Sequence, residues 1–233
     1  RYINIIRTIK TLLSQIAPGA KLGILGSAIL SMYSEVDRLM QHWPKDLVPD
    51  FISIVSFPYE RYENNTPSKM RQVNIARLSI QKMTEILTKY GLDTIPVYIT
   101  QWNMTVSPRY AINDCCVTAA ALLNNMEETL DDPWPILYHH ASDISTAQQD
   151  TLPLIFGGTG LMTRSTLLKP VCWSLIFLKK MPDYCVSHGP GYIITTDKIG
   201  RFDLLLFNSG PLPDAYYQKN EYEITTGFVL HEL

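Results

Sequence analysis

Polar residues that could do chemistry gather at the ends of short apolar runs. Gln101-Trp102-Asn103 follows the buried-type run Val97-Tyr98-Ile99-Thr100. The two carboxamides donate and accept hydrogen bonds, the indole only donates, and none of the three carries a charge. His139 and His140 follow Ile136-Leu137-Tyr138. Alternation along a strand would turn one imidazole toward a site and the other toward the opposite layer. With no third ligand in view, no metal site is expected from them. Asp143 and Asp150 follow in the next loop, where a carboxylate either faces a cleft mouth or caps the loop. Gly157-Gly158-Thr159-Gly160 lacks the Gly-Lys-Ser/Thr that a phosphate loop requires, so a βα loop is the plainer reading. Asn113-Asp114 before an Ala-rich stretch is a helix-entry signal. No Ser/His/Asp order or dinucleotide fingerprint is present, and no cofactor is expected.

These groups must be held by elements that the hydrophobic pattern marks out. Apolar residues at helical spacing predict helices over 2–16, 35–43, 68–90, 110–130 and 170–181. Pro18-Gly19, Pro44 and Gly91 supply stops. Strands are expected at 21–25, 51–57, 97–100 and 136–138. Apolar strands alternating with longer helices indicate a parallel sheet covered by helices. Beyond Met181-Pro182 the rhythm changes. Residues 184–187, 192–196, 202–208 and 222–226 read as strands, with Asp197-Lys198-Ile199-Gly200 as a hairpin connection. The expected fold class is therefore α/β, with βα units over 1–183 and a small antiparallel β-structure over 184–233.

Composition bounds the rest. The 233 residues are 46% apolar and carry a formal net charge of -2. That composition fits a globular core and excludes disorder. A charge so near zero argues against this chain alone holding a nucleic-acid backbone. No apolar run reaches membrane-span length. The start, Arg1-Tyr2-Ile3-Asn4, is unlike a signal peptide, and the chain reads as a piece of something longer. Cys115, Cys116, Cys172 and Cys185 have no zinc-like spacing, and a reducing cytoplasm is the expected setting. Two N-x-[ST] matches, at Asn64 and Asn103, are read as chance without a secretory signal.

Pro96-Val97-Tyr98-Ile99-Thr100-Gln101-Trp102-Asn103 resembles the Ile-Thr-Glu-Phe/Trp-Asn stretch of family 39 glycoside hydrolases, the β-xylosidases and α-L-iduronidases. Further matches follow the chain. Pro49-Asp50-Phe51-Ile52-Ser53 to Phe57-Pro58-Tyr59 resembles the sixth barrel strand, and Tyr138 to Asp143 the eighth. Ser107 through Asn113-Asp114 and Ala119-Ala120 match the loop and helix after the motif. Phe156 to Leu161, then Lys169-Pro170, is similar to the segment before the last helix. The chain also resembles the family-39-like domain at the C-terminal end of some AraC-type bacterial transcription regulators, which carry an upstream helix-turn-helix. The resemblance covers residues 1–210. It implies the second half of a (β/α)8 TIM-type barrel, with Arg1 just after the fourth strand and the family's general acid upstream.

One departure decides the functional expectation. The family's nucleophilic Glu corresponds to Gln101. A retaining glycosidase needs two carboxyl groups about 5–5.5 Å apart, one to attack and one to protonate. Gln has nearly the shape of Glu but cannot carry its charge, so chemistry is removed while hydrogen bonding to a sugar remains possible. The resemblance makes Gln101, Trp102, Asn103, Tyr59, His139 and Asp143 the expected ligand-binding residues. Tyr59 is read either as a ring that stacks on a sugar face or as packing.

The leading expectation is a catalytically silent, sugar-sensing or regulatory domain. The alternatives are an active hydrolase fragment using another carboxylate such as Asp143, and a dimerisation module without ligand. Expected partners are a sugar and either a second copy of the chain or the missing barrel half. DNA would be reached only through the upstream helix-turn-helix. No membrane partner is expected.

Overall fold

Why the strands form a parallel sheet is plain from their composition: Phe51-Ile52-Ser53-Ile54-Val55-Ser56 has apolar or small residues on both faces. In a computed structural model this run is a strand whose last five residues are all buried. The structure describes residues 1–63, 66–72, 75–106, 109–131, 136–143, 155–208 and 210–233. The elements in order are α1 (Tyr2–Ile16), β1 (Gly23–Ala28), α2 (Tyr33–Gln41), β2 (Phe51–Ser56), β3 (Tyr59–Glu63), β4 (Thr66–Lys69), α3 (Ala76–Lys89), β5 (Val97–Trp102), α4 (Cys116–Glu128), β6 (Ile136–Tyr138), α5 (Pro170–Lys180), β7 (Tyr184–Gly189), β8 (Tyr192–Thr196), β9 (Phe202–Leu206), α6 (Asp214–Gln218) and α7 (Thr226–Glu232).

The fold is α/β. Among the described residues, the main sheet has the order β1-β2-β5-β6, and β1 pairs with β2 in parallel. Its edges are β1 and β6. A second sheet, β7-β8-β9, is antiparallel throughout. Its turn is drawn in by Asp197, whose Oδ1 accepts from the backbone N–H groups of Ile199, Gly200 and Arg201. A two-stranded antiparallel hairpin, β3-β4, follows directly on β2. No described helix is long and apolar enough to cross a membrane.

The described residues divide into two compact units. The first comprises residues 1–56, 78–101 and 134–137; the second comprises 57–77, 102–133 and 138–233. The core of the first contains Ile24, Met40, Ile52, Ile54, Met83, Leu87, Val97 and Ile99. Within it the Ser53 and Thr100 hydroxyls, on β2 and β5, lie 2.6 Å apart, so neither is left without a partner in apolar surroundings. The core of the second includes Trp102, Met104, Ile112, Leu122, Val171 and Tyr216.

Three expectations are corrected. The helix expected over 68–90 begins only at Ala76. Residues 66–69 instead pair with β3, because the stretch Ser68-Lys69-Met70-Arg71-Gln72 offers no apolar stripe to hold a helix. The Asn125 carboxamide oxygen accepts from Ala76 N–H, so another helix supplies the missing cap. The helix expected over 110–130 is a 3₁₀ turn, Ala111–Asp114, and then α4. Extended backbone at Cys115 separates them. The strand expected over 222–226 is a 3₁₀ turn, Glu221–Glu223, leading into α7. Thr225 caps that helix by accepting from Phe228 N–H.

Candidate functional site

Ligands of parallel α/β sheets bind outside the carboxyl ends of the strands, so the ends of β5 and β6 are where the sequence-derived residues matter. Gln101 is the penultimate residue of β5, lies in the first unit and is partly exposed. Its side chain is neutral, a donor and an acceptor in one group.

Chain alternation and the next loops separate its neighbours from solvent. In the second unit Trp102 is fully buried. Its ring lies 6.0 Å from that of Tyr138, and its Nε1 has no hydrogen-bond partner among the described residues. Asn103 is also buried. Its amide donates to the backbone oxygens of His139 (3.1 Å) and Thr159 (3.2 Å), tying two loops together. Tyr59 is 4% exposed, and its buried hydroxyl has no hydrogen-bond partner among the described residues.

His139 and His140 do not point to opposite sides, as alternation would have them. Their rings are 3.5 Å apart. The reason is local: both lie beyond the end of β6, and His140 has φ +145°, a conformation unfavourable for a side chain bearing Cβ. His140 Nδ1 lies 2.9 Å from the Thr159 hydroxyl. His139 stands edge-on to Phe57, 6.2 Å between ring centroids. Desolvation, and then its neighbour His140, hold His139 below the usual imidazole range. Desolvation lowers His140 too, against an opposing pull from Asp143. Both rings are therefore biased toward the neutral form.

Asp143 is turned inward, with no exposed side-chain surface. Its Oδ1 accepts from Gly160 N–H at 2.8 Å and from Lys169 Nζ at 2.7 Å. The same ammonium lies 2.6 Å from Asp114 Oδ1 and donates to Gly158 O at 2.7 Å. Asp114 Oδ2 in turn accepts from Gly157 N–H. The glycine loop is thus closely packed around this centre. A Cβ at Gly157, where φ is +77°, would lie 2.4 Å from the Tyr110 backbone; one at Gly158 would lie 2.3 Å from the Asp143 carboxyl carbon. Lys169 entered the sequence reading only as a family motif position, and Asp114 as a motif position and part of a helix-entry signal. Nothing in the spacing of residues 114, 143 and 169 announces that they meet. Asp150 lies outside the described residues, as do Asn64 and Ser107.

In the first unit Gln101 keeps solvent access and offers neutral hydrogen bonding. In the second unit His139 keeps solvent access, whereas Asp114 and Asp143 are paired with Lys169. No group of three or more His, Cys, Asp or Glu that could hold a metal occurs among the described residues.

Comparisons with known proteins give the following. The family model described as glycosyl hydrolases family 39 matches residues 1–188. A β-xylosidase of Geobacillus stearothermophilus is 25% identical over 114 residues, which is 49% of this chain and 23% of that protein. The crystal structure of a monomeric β-xylosidase from Caulobacter crescentus has a TM-score of 0.70 at 16% identity, over 84% of this chain and 41% of that one. That of a GH39 enzyme from Xanthomonas axonopodis pv. citri has a TM-score of 0.66 at 18% identity, over 84% and 39%. A glucosidase from Croceicoccus marinus gives 0.65 at 14% identity, over 92% and 45%. The chain therefore spans less than half the length of each of these relatives.

Proposed function

The chain belongs to glycosyl hydrolases family 39, and from that membership we propose that it is a catalytically silent, carbohydrate-binding member of the family. The observation that carries the proposal is Gln101, at the end of β5, where the family motif has its nucleophilic Glu. Without a charge this side chain neither attacks an anomeric carbon nor stabilises an oxocarbenium ion as an anion would. Asp143, the carboxylate considered as a substitute, is enclosed and paired with Lys169. Of the residues assigned to recognition, Gln101 is proposed as the sugar contact of the first unit. In the second unit His139 is proposed as a polar contact, with Trp102, Asn103, Tyr59 and Asp143 supporting it from buried positions.

The proposed architecture is half of a (β/α)8 barrel over residues 1–183, followed by the antiparallel β-structure of 184–233. Another polypeptide segment or a second copy would pair with the β1 and β6 edges, since unpaired strand edges invite pairing. In the regulatory setting that the sequence resemblance implies, the domain would report a sugar to an upstream helix-turn-helix in the cytoplasm.

A few hydrogen bonds and partial burial of a sugar correspond to a Kd of roughly 0.1–1 mM, or about −4 to −5.5 kcal/mol. Thermal-shift titration with pentoses, hexoses and short oligosaccharides tests this. The expected result is saturable stabilisation by at least one sugar, lost in Gln101→Ala. Absence of any shift across the panel would favour a module without ligand. A second reading, an active hydrolase whose catalytic groups lie elsewhere in a longer polypeptide, is favoured by the β-xylosidase names of the relatives. Aryl xyloside turnover that survives Gln101→Ala would establish it.

A further inference from the structure

The C-terminal residues make more specific contacts with the hairpin than a tail needs. Lys69, on β4, donates to the backbone oxygens of Tyr216 (3.1 Å) and Lys219, at the carboxyl end of α6. There a cation is favoured by the free carbonyls and the helix dipole. The same ammonium sits over the Tyr216 ring, 4.6 Å from its centroid. Two residues along, Arg71 pairs with Asp214 and lies 5.3 Å over the Tyr217 ring. The Tyr217 hydroxyl donates back to Arg71 O at 2.9 Å. Tyr216 is 1% exposed. Burial lowers the Lys69 pKa to about 8, against the pull of the Glu223 carboxylate. Beyond these contacts, the segment continues through buried Ile224 and Val229. Its last helix, α7, packs on the 3₁₀ turn Ala111–Asp114.

The two segments so gripped are far apart in the chain but alike in position. The hairpin follows β2 directly, and the turn lies in the loop that follows β5. Both are strand-to-helix connections of the kind that carry function in α/β folds. The turn is itself bound to the glycine loop, through Asn113 Nδ2 to Gly157 O at 2.9 Å and Asp114 to Gly157 N–H.

We propose that residues 211–233 act as a clasp that couples the β3-β4 hairpin to the 111–114 turn, so that freeing the clasp loosens both connections together. The inference rests on contacts within the second unit and does not depend on the sugar-binding reading.

Hydrogen–deuterium exchange of the protein and of two variants tests it. In Lys69→Met, amides over 212–232 and over 110–115 exchange roughly tenfold faster, the size expected for losing hydrogen bonds to a charged donor. Amides of β2 are unchanged. In Asp214→Ala, which removes the exposed ion pair with Arg71, the same two segments move together by about twofold. The proposal is overturned if 212–232 exchanges faster while 110–115 keeps its protection, or if neither segment responds in Lys69→Met. If Lys69→Met loses protection everywhere, β2 included, Asp214→Ala decides by the same comparison: joint movement supports the clasp, and movement of 212–232 alone or of neither segment refutes it.

Discussion

Replacing Lys169 by Met removes the cation that Asp114, Asp143 and Gly158 O share in the second unit. Lys169 is 3% exposed in its side chain, Asp143 0% and Asp114 10%. The variant would leave two carboxylates in one enclosed space, each deprived of its counter-ion, and Gly158 O without its donor. Breaking a buried ion pair from one side costs about 3–5 kcal/mol, mostly as the penalty of an uncompensated charge. For a chain of this size that corresponds to a fall in Tm of ~6–20 °C. Urea unfolding followed by circular dichroism and tryptophan fluorescence measures it. The logic also fixes the sign of a second change. Lys169→Met with Asp143→Asn removes one of the two stranded charges while leaving an acceptor for Gly160 N–H, so the double variant should regain at least half of the loss. A single-variant cost below about 1 kcal/mol would refute the reasoning. So would a double variant no more stable than the single one.

Two further outcomes follow from titrating groups. His188 is held above the ordinary imidazole range by its hydrogen bond to Glu127 (2.8 Å), with Asp131 adding at 3.5 Å. A raised pKa contributes stability that is fully present below the unfolded value, about 6.5, and is lost as pH rises through the folded value. His188→Gln should therefore lower Tm at pH 6, with the difference from the unsubstituted protein shrinking by pH 9; an equal difference at both would contradict this. Burial, helped by the neighbouring Asp114 and Cys116, pushes the Cys115 thiol up to about 11, whereas Cys116 and Cys185 are exposed. At pH 8 a thiol of that pKa is only about 0.1% thiolate. Cys115 should be the slower of the adjacent pair to label with a disulfide reagent, and equal rates by mass spectrometry would refute the assignment.

The sheet was legible because its strands are short apolar runs bounded by Pro and Gly. The hairpin at 59–69 was not, since its pairing is set by register between residues rather than by any local periodicity. Residues 222–226 misled for the opposite reason: Tyr222 and Ile224 alternate like a strand, but the Thr225 hydroxyl caps a helix by accepting from Phe228 N–H. At the site, the polar ends of β5 and β6 were readable as positions. Their orientations were not. Asn103 is spent on two backbone carbonyls from distant loops, and Asp143 on a lysine 26 residues later. The joint facing of His139 and His140 depends on a positive φ at a residue whose type does not announce it.

The central claim is binding without turnover, and saturation-transfer-difference NMR with an aryl β-xyloside tests both halves in one sample. The account predicts transfer from protein to sugar protons, abolished in Gln101→Ala, with the glycoside intact after days of incubation. Resonances of free xylose growing in with the unsubstituted protein would contradict it, and so would the absence of transfer to this and every other sugar tried.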